Sequence, residues 1–558
     1  MFHEMKALGI PKTEDGSYDS CNMYGVNFSE ILNKSRGSIP EADSEWPKIR
    51  CKNGWEYDHS EIPYPTITSE MNWVCDKSAL PSFAQSAYFI GAIVGGLVFG
   101  WIADRYGRIP VLVITNLLGA FAGLATAYLS TSFWAFCTLR FLVGLAFDNC
   151  FTMMYILVLE YVGPSWRTFV ANMSIAIYFT LGTISLPWMA YLISDWRLFT
   201  IASSAPLLLA VLTPWLVPES ARWLVSQGKV DKAIVIMKKF EKINRKHVDP
   251  KIYEEFRESC QRIKKEDEEE KTYSIIDLFK TPRMRRITIL LVLIWMIISL
   301  GYDGHVRSVG NLGYDVFVTF TVACATEFPA DTTLIFVLDK WGRRWLACGT
   351  LIVSGLFSIL STAAPPGGFA ATLAIMGRFS INISYNIGLQ YAAEILPTVV
   401  RAQGVAFIHI MGYVANLISP FVVYLAIINP ILPLLVLGIL SFIGGVLALF
   451  LPETLDKELP TTLQDGEDFG RDQKFWEFPC CGNKSVSDEV VIVSQVGQSN
   501  FYRGHNHRVS NRSSIRGELY RSRLLSHGQQ SMRKRTKTFP AIEMESQSKA
   551  PSDLNQSV

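Results

Sequence analysis

The sequence predicts an all-α membrane protein built from two related helix bundles, and three observations support this prediction. Runs of about 20 apolar residues recur along the chain, and each is long enough to cross a bilayer core of roughly 30 Å. Hydrophobic residues make up 49% of the 558 residues and charged residues only 18%, which is unusual for a set of soluble domains. A short charged motif also occurs twice, once beginning at Asp104 and again at Asp339.

The first copy of the motif, Asp104-Arg105-Tyr106-Gly107-Arg108, joins two apolar runs through a very short hairpin. Its charges cannot lie in hydrocarbon, so the hairpin lies at a membrane surface. Arginines in short loops mark the cytoplasmic side, and the motif therefore predicts the orientation of the chain.

Other landmarks recur in the same order and at nearly the same spacing. The pairs are Arg140 and Arg378, Glu160 and Glu394, Arg167 and Arg401, and Pro218 and Pro452. The two members of each of the last three pairs are separated by the same number of residues. The separation is only slightly longer between Arg140 and Arg378 and between Asp104 and Asp339. Landmarks that share one period indicate an internal duplication. Two duplicated membrane halves are typical of carriers that bind their substrate between the halves.

The predicted organisation has five parts. They are an extracellular, glycosylated loop-like segment at 1–80, an N-terminal helix bundle at 81–217, a cytoplasmic loop at 218–285, a C-terminal helix bundle at 286–451 and a disordered cytoplasmic tail at 452–558. The first segment is acidic and the loop is basic, which agrees with the excess of positive charge expected on the cytoplasmic side.

The segment at 1–80 lacks a membrane-length apolar run. It contains glycosylation sequons at Asn27 and Asn33 and the cysteines Cys21, Cys51 and Cys75. These features predict an extracellular segment stapled by a disulfide, without deciding which cysteines pair.

We identify eleven apolar spans, at 82–101, 110–129, 134–159, 168–193, 197–217, 286–304, 313–338, 345–363, 370–393, 402–427 and 431–451. The halves should match, so the span at 286–304 requires a partner one repeat interval upstream, near 52–70. That stretch is polar, and we expect the first helix of the first half to be missing. Either the chain begins late, or the protein is an eleven-helix form.

The tail is rich in serine and arginine, which predicts disorder. Ser513, Ser514 and Ser526 have upstream arginines and are candidate kinase sites, and attraction to anionic lipid is a second use for such a tail. No motif in the chain indicates catalysis. The ten cysteines lack metal-site spacing, and Gly367-Gly368 lacks the lysine of a phosphate-binding loop. We expect no enzymatic activity, no cofactor, no metal and no nucleic-acid partner.

Together the motifs resemble the organic cation, carnitine and organic anion branch of the major facilitator superfamily, solute carrier family 22. Residues 104–108 are similar to the loop signature of the superfamily, and 328–331 and 409–413 resemble invertebrate members, which include carcinine and β-alanine transporters. The stretches that match the branch are 51–58, 70–75, 218–224, 226–228, 394–404, 451–454 and 459–461. The resemblance implies the major facilitator fold of two pseudo-symmetric helix bundles, normally of twelve helices, with 1–80 matching the loop between helices 1 and 2.

The resemblance assigns the repeated charges to conformational gating on the cytoplasmic side. Single charge pairs at a wet interface contribute only about 1 kcal/mol or less, so a network of them can bias one state and still break during transport. The predicted gating residues are Asp104, Arg108, Glu160 and Arg167 in the first half and Asp339, Arg343, Glu394 and Arg401 in the second, with Glu219, Arg222 and Glu453 nearby. The alternative is that these charges only set the topology.

The substrate-binding candidates combine the resemblance with the cost of placing ionisable groups in a membrane. A carboxylate among aromatic faces suits an ammonium ligand, and Asp148 and Glu327 are the predicted acids. Glu327 matches an acid used by cation-transporting relatives. The remaining candidates, which match positions lining the pocket of the family, are Phe151, Tyr155, Tyr385, Asn386 and Tyr413.

At Tyr413 the sequence departs from the family, because vertebrate cation transporters carry Asp there and anion and carnitine transporters carry Arg. The missing Arg counts against anions, and Asp148 partly offsets the missing Asp. The sequence therefore favours a plasma-membrane carrier of small organic cations or zwitterionic amines, such as carnitine-, choline- or carcinine-like molecules, working by alternating access. The alternatives are an organic anion carrier and, if the first helix is truly absent, a non-transporting membrane protein.

Overall fold

The computed structural model describes residues 2–476, except for 14–15, 17, 35–41, 44, 53, 60–61, 246, 268–273, 309, 311, 313, 366, 458 and 474–475. The side chains of 2–5, 32–34, 164–169, 171–172, 174–175 and 263–267 are also outside the description. The predicted kinase sites of the tail therefore lie outside the described residues, as do the side chains of Asn33 and Arg167.

The segment before the first long helix folds around a small hairpin. Its elements are α1 (Phe2–Gly9), β1 (Asn22–Tyr24), α2 (Phe28–Lys34), β2 (Lys48–Arg50) and α3 (Ile67–Glu70), with β1 antiparallel to β2 and Asn22 opposite Arg50. A disulfide joins Cys21 to Cys75, whereas Cys51 is a free thiol. The disulfide that the sequence predicted thus forms between the residue before β1 and a residue shortly before the first long helix.

The first half consists of four long helices and one interrupted helix. They are α4 (Leu80–Tyr106), α5 (Arg108–Leu129), α6 (Phe133–Tyr161), α7 (Pro164–Ile193) and a run made of α8 (Trp196–Ser204), a 3-10 stretch (Ala205–Leu212) and α9 (Thr213–Leu216). Close packing of α4 on α6 depends on glycine, because a Cβ atom added to Gly95 would overlap the carbonyl group of Leu145. Small residues of this kind let membrane helices approach each other closely.

Three helices follow in the loop that the sequence predicts to be cytoplasmic: α10 (Ala221–Ser226), α11 (Val230–Ile243) and α12 (Pro250–Asp267). The amphipathic helix predicted from residue 231 to 240 corresponds to α11. Its buried face packs on α12 through Ile234, Tyr253 and Phe256, which form a small apolar core of their own.

The second half repeats the pattern. After a 3-10 turn (Ile275–Phe279) it contains α13 (Pro282–Ser308), α14 (Val316–Ala325), α15 (Glu327–Trp341), α16 (Arg343–Ala363), α17 (Gly368–Ile395), α18 (Arg401–Asn416), α19 (Ser419–Tyr424), a 3-10 turn (Leu425–Ile427), α20 (Leu432–Ala448) and α21 (Leu463–Asp468). Its core is the largest apolar cluster of the described residues and is centred on Leu351, Ile381 and Ile387, which are fully buried.

Three of the predicted spans change helix geometry partway along their length. The breaks fall at Pro206 in the run after α8, near Pro329 between α14 and α15, and at Pro420 between α18 and α19. Proline lacks the N–H group that would bond to the carbonyl four residues earlier, so each break follows from local chemistry. The spans predicted at 197–217, 313–338 and 402–427 are nevertheless each long and apolar enough to cross a membrane, with a local change of helix geometry inside them.

By length and composition, nine helices of the described part of the chain are able to cross a membrane. The two other predicted spans correspond to α17, a 28-residue helix that carries the buried charges Arg378 and Glu394, and to α20, which is apolar but has 17 residues. The count of eleven spans and the missing first helix stay predictions.

Contacts between the two halves are found on the outer side, where α4 begins. Ser78 lies 3.0 Å from the Tyr424 hydroxyl, and Ser86 donates to the Leu417 carbonyl at 2.8 Å. The Phe83 and Phe421 rings meet edge to face, with centroids 5.0 Å apart. These contacts hold α4 against α18 and α19.

Candidate functional site

At the end of the first half that the sequence predicts to be cytoplasmic, a distant glutamate caps a helix. Glu219 accepts hydrogen bonds from the backbone N–H groups of Arg108 and Ile109, both at 3.1 Å. The N-terminus of a helix carries unpaired N–H groups and a positive end of its dipole, so a carboxylate is well placed there. Arg108 also donates to Asp104 at 2.7 Å, as the predicted pairing of these two charges requires.

The glycine of the motif makes this cap possible. Gly107 has a φ of +118°, which residues with a side chain rarely adopt, and a Cβ atom placed there would lie 2.5 Å from a Glu219 oxygen. The Asp-Arg-Tyr-Gly-Arg pattern is therefore explained as a turn that lets a carboxylate reach the next helix.

A Gly107→Ala variant is expected to lose about 1–3 kcal/mol of stability, since alanine must strain the backbone and push Glu219 off the helix end. Thermal unfolding in detergent would measure this loss. Gly100→Ala is the matched control, because no atom lies within 4 Å of the Cβ position at that helical glycine. Equal unfolding temperatures for the two variants would contradict the prediction.

The second half repeats this cap atom for atom. Glu453 accepts from the backbone N–H groups of Arg343 and Arg344 at 2.8 and 3.1 Å, and Gly342 has a φ of +80°. Asp339 pairs with Arg343 at 3.1 Å. The duplication read from the sequence therefore extends to individual hydrogen bonds, and Glu219 and Glu453, which the sequence placed only near the motif, are its central acceptors.

The two clusters differ in how many partners the arginine guanidinium has. The Arg343 guanidinium also pairs with Glu394 at 3.0 Å, and Glu394 accepts a 2.5 Å hydrogen bond from the Thr454 hydroxyl. In the first half, Nε of Arg108 and Oε2 of Glu160 are buried without a hydrogen-bond partner among the described side chains, which do not include Arg167. The described part of the first cluster is thus less completely paired than the second.

Two further arginines lie near these clusters. Arg401 was predicted as a gating residue, and Arg222 was placed beside the gating residues. Burial lowers the pKa of the Arg222 guanidinium from its ordinary value, and the Glu160 carboxylate opposes that shift. Arg401 donates to the carbonyls of Leu396 and Pro460 at 2.9 and 3.4 Å. Arg401 therefore braces the connection between α17 and α18 against the segment that follows α20.

Midway along α6, the half-buried carboxylate of Asp148 faces the other half of the protein. The Tyr413 hydroxyl of α18 donates to Oδ1 of Asp148 at 2.5 Å, and Thr152 lies 3.4 Å from the same oxygen. Two residues predicted for the site, 265 positions apart in the sequence, are thus in direct contact.

Tyr385 lies near this contact and belongs to a cluster of aromatic side chains. The Tyr385 ring lies 4.9 Å from Trp295 and 5.1 Å from Tyr302, measured between centroids. Phe151 stacks on Tyr155 one turn further along α6, with centroids 6.2 Å apart. The carboxylate and these π faces form the kind of surface that attracts an organic cation.

Glu327, the second predicted acid, is buried and already neutralised. Its Oε1 accepts from Arg378 at 2.6 Å and from the Tyr302 hydroxyl at 2.7 Å. Asn386, another predicted residue, donates to Asp331 at 2.7 Å. The geometry places Glu327 in an internal ion pair, whereas Asp148 keeps a partly exposed carboxylate.

Sequence reasoning missed Asp331, Trp295 and Tyr302. Asp331 follows Glu327 by four residues, and that spacing places the two acids on one face of α15, a signal that was present in the sequence. The two aromatic residues carry no such signal, because an aromatic residue in an apolar helix looks the same whether it lines a site or packs in a core.

Two duplicated helix bundles, capped alike at one end and meeting at a carboxylate midway along α6, define a multi-pass membrane carrier. Residues 52–462 match the model of the sugar (and other) transporter family. The chain belongs to this family of the major facilitator superfamily, and within it to the solute carrier family 22 branch.

The relatives support that placement over most of the chain. The organic cation transporter protein of Drosophila melanogaster is 35% identical over 83% of this chain and 83% of its own. Human solute carrier family 22 member 13 is 34% identical, covering 83% and 82%. The carcinine transporter of D. melanogaster is 31% identical, covering 88% and 73%.

The fold is similar to that of the xylose transporter XylE from E. coli. An inward-open structure of that protein has a TM-score of 0.52 with 19% identity, covering 70% of this chain and 89% of the other. A partially occluded inward-open structure has a TM-score of 0.51 with 17% identity, covering 72% and 92%. The predicted major facilitator fold is confirmed.

Proposed function

We propose that this protein carries small organic cations or zwitterionic amines across the plasma membrane by alternating access. The observation that carries the proposal is the half-buried carboxylate of Asp148, which lies between the two halves among aromatic rings. An ammonium group gains both charge attraction and cation–π contact at such a place. The printed names of two relatives, an organic cation transporter protein and a carcinine transporter, support the same substrate class.

The arginines near the centre give an organic anion little to bind. Arg140 donates to Gln85 at 2.6 Å and lies over the Tyr88 ring, 5.2 Å from its centroid. Arg378 is buried in its pair with Glu327. Both guanidinium groups are engaged within their own half, and this supports an amine over an anion as the substrate.

The arrangement of contacts supports the alternating-access part of the proposal. The outer end is closed by contacts of α4 with α18 and α19, whereas the cytoplasmic clusters around Arg108 and Arg343 are each completed within one half. This arrangement supports a state that is closed to the outside. Opening it outward requires the outer contacts to break while each cytoplasmic cluster moves as a unit.

An Asp148→Asn variant is expected to lower uptake of labelled amine by about tenfold or more, because the neutral amide keeps the shape of the side chain but loses its charge. Uptake and surface amount would be measured together in cells that express the full chain. Asp195→Asn is the matched control, since Asp195 caps α8 outside the site and asparagine caps equally well. Wild-type uptake by Asp148→Asn would remove Asp148 from the site, and uptake of a labelled dicarboxylate instead of amines would favour an anion carrier.

The outer segment and the tail carry further proposals. Asn27 is exposed at the start of α2, as a glycosylated asparagine must be, and supports an extracellular location for the segment around Cys21 and Cys75. Kinase or anionic-lipid contact through the basic tail is proposed from its sequence alone. No uptake of any amine, with normal surface amount, would favour a non-transporting membrane protein.

A further inference from the structure

The hydrogen bond between Tyr413 and Asp148 differs from the other bonds between the halves. Ser78, Ser82 and Ser86 make theirs at the outer end of α4, to residues of α18 and α19. The Tyr413 hydroxyl instead reaches the middle of α6 and donates to a carboxylate. A hydrogen bond to a charged group is stronger than one between neutral groups, so this bond is a principal tie between the halves at the centre.

The same carboxylate is the proposed attachment point of the amine. Its Oδ1 is occupied by Tyr413 and lies near Thr152, while Oδ2 faces Gly96, where an added Cβ atom would stand 3.8 Å away. Because a carboxylate oxygen can accept more than one hydrogen bond, only a ligand that donates to both oxygens of Asp148 crowds the Tyr413 hydroxyl at Oδ1 and competes with it.

Ligand chemistry decides that competition. A protonated primary amine brings three N–H donors and can replace the hydroxyl with a charge-assisted hydrogen bond. A quaternary ammonium brings none, and it reaches the site through charge and aromatic contact while the hydroxyl keeps its place.

We propose that Tyr413 is a displaceable latch, which ties α18 to α6 through Asp148 until a protonated primary or secondary amine takes over the carboxylate. This inference rests on the proposed function, in which Asp148 receives the amine. Releasing the bond removes a tie that holds the outer end closed, so displacement and rearrangement are coupled. Quaternary ammonium ions bind and compete, but they leave the latch in place and are carried slowly.

The substrate test uses 2-phenylethylamine and its N,N,N-trimethyl derivative, both labelled, with the full chain in cells. For the wild type we expect both to compete for the site, with a maximal rate for the quaternary ion about tenfold or more below that of the primary amine. In Tyr413→Phe the KM of the primary amine should fall and the ratio of the two maximal rates should approach one. An unchanged ratio, or a higher KM for the primary amine, would overturn the proposal.

A second measurement needs no substrate. Ser86→Cys places a thiol in the closed outer contact, in a Cys51→Ser background because Cys51 is a free thiol of the outer segment. Labelling by a membrane-impermeant thiol reagent should be about tenfold faster in Tyr413→Phe, since the outer end opens more often. Tyr302→Phe is the matched control, because it removes a tyrosine–carboxylate bond that lies within the second half.

The two measurements separate the possible failures. If the wild type carries neither probe, the proposed function fails, and the labelling rates still test the latch. If amines are carried but Tyr413→Phe is labelled no faster than the wild type, the latch is wrong and the carrier function stands.

Discussion

Replacing Glu394 by alanine is expected to destabilise the protein by about 3–5 kcal/mol, because the buried Arg343 guanidinium would lose its buried charge partner and keep only the exposed Asp339. The side chains of Arg343 and Glu394 are only 5% and 7% exposed, and their contact is 3.0 Å. Glu394→Ala also leaves the Thr454 hydroxyl without its acceptor, because that hydroxyl donates to the same carboxylate. Thermal unfolding of the purified protein in detergent would measure the loss.

Asp339→Ala is the matched control for that variant, because it removes a carboxylate from the same arginine. Asp339 is 71% exposed, and an exposed pair contributes only about 0–1 kcal/mol. Each variant removes one carboxylate, so the difference between the two expected losses of stability comes from the burial of Glu394. A Glu394→Ala protein that unfolds no earlier than Asp339→Ala would show that Arg343 finds other partners.

The second large effect concerns the buried pair of Glu327 and Arg378. Glu327→Gln is expected to reduce the amount of protein at the cell surface by about tenfold, since it leaves the Arg378 charge unpaired inside the membrane. The double variant Glu327→Gln with Arg378→Gln removes both charges and should recover the surface amount. Surface biotinylation and amine uptake, measured on the same cells, would test both statements.

This pair of variants also decides what Glu327 does. If it serves only as the partner of Arg378, the double variant recovers uptake together with surface amount. If Glu327 binds the cation, as its match to relatives predicted, the double variant reaches the surface but does not carry amines. A double variant as scarce as the single one would contradict the ion-pair interpretation altogether.

The helices themselves were largely predictable, because a membrane imposes a simple requirement of length and apolarity on each of them. The hairpins at Gly107 and Gly342 were predictable for a related reason, since charge cannot lie in hydrocarbon. The interruptions at Pro206, Pro329 and Pro420 were marked in the sequence, but the apolar runs continue through them and hide the break. Hydropathy measures where a chain prefers to lie, and it does not report whether its helix is continuous.

For the candidate site, the sequence predicted most of the residues but not the contacts between them. Asp148, Tyr413, Phe151, Tyr155 and Tyr385 were selected from the sequence by charge, position and family match, whereas Trp295 and Tyr302 were not. Tyr413 bonds to Asp148, whereas Glu327 forms an ion pair with Arg378. Both contacts depend on which helices lie side by side. Partners 265 and 51 residues apart leave no local signal, because the geometry that joins them is set by the packing of whole helices.

By itself, the sequence determined the family and the duplication of this protein, and it predicts the orientation. These properties follow from composition and from short motifs that act within one hairpin or one helix. The tertiary structure alone decided which charges are neutralised and which stay available, since the cost of a charge in a membrane depends on the neighbour that packing supplies. Through that difference Asp148, rather than Glu327, becomes the carboxylate to which we assign the substrate.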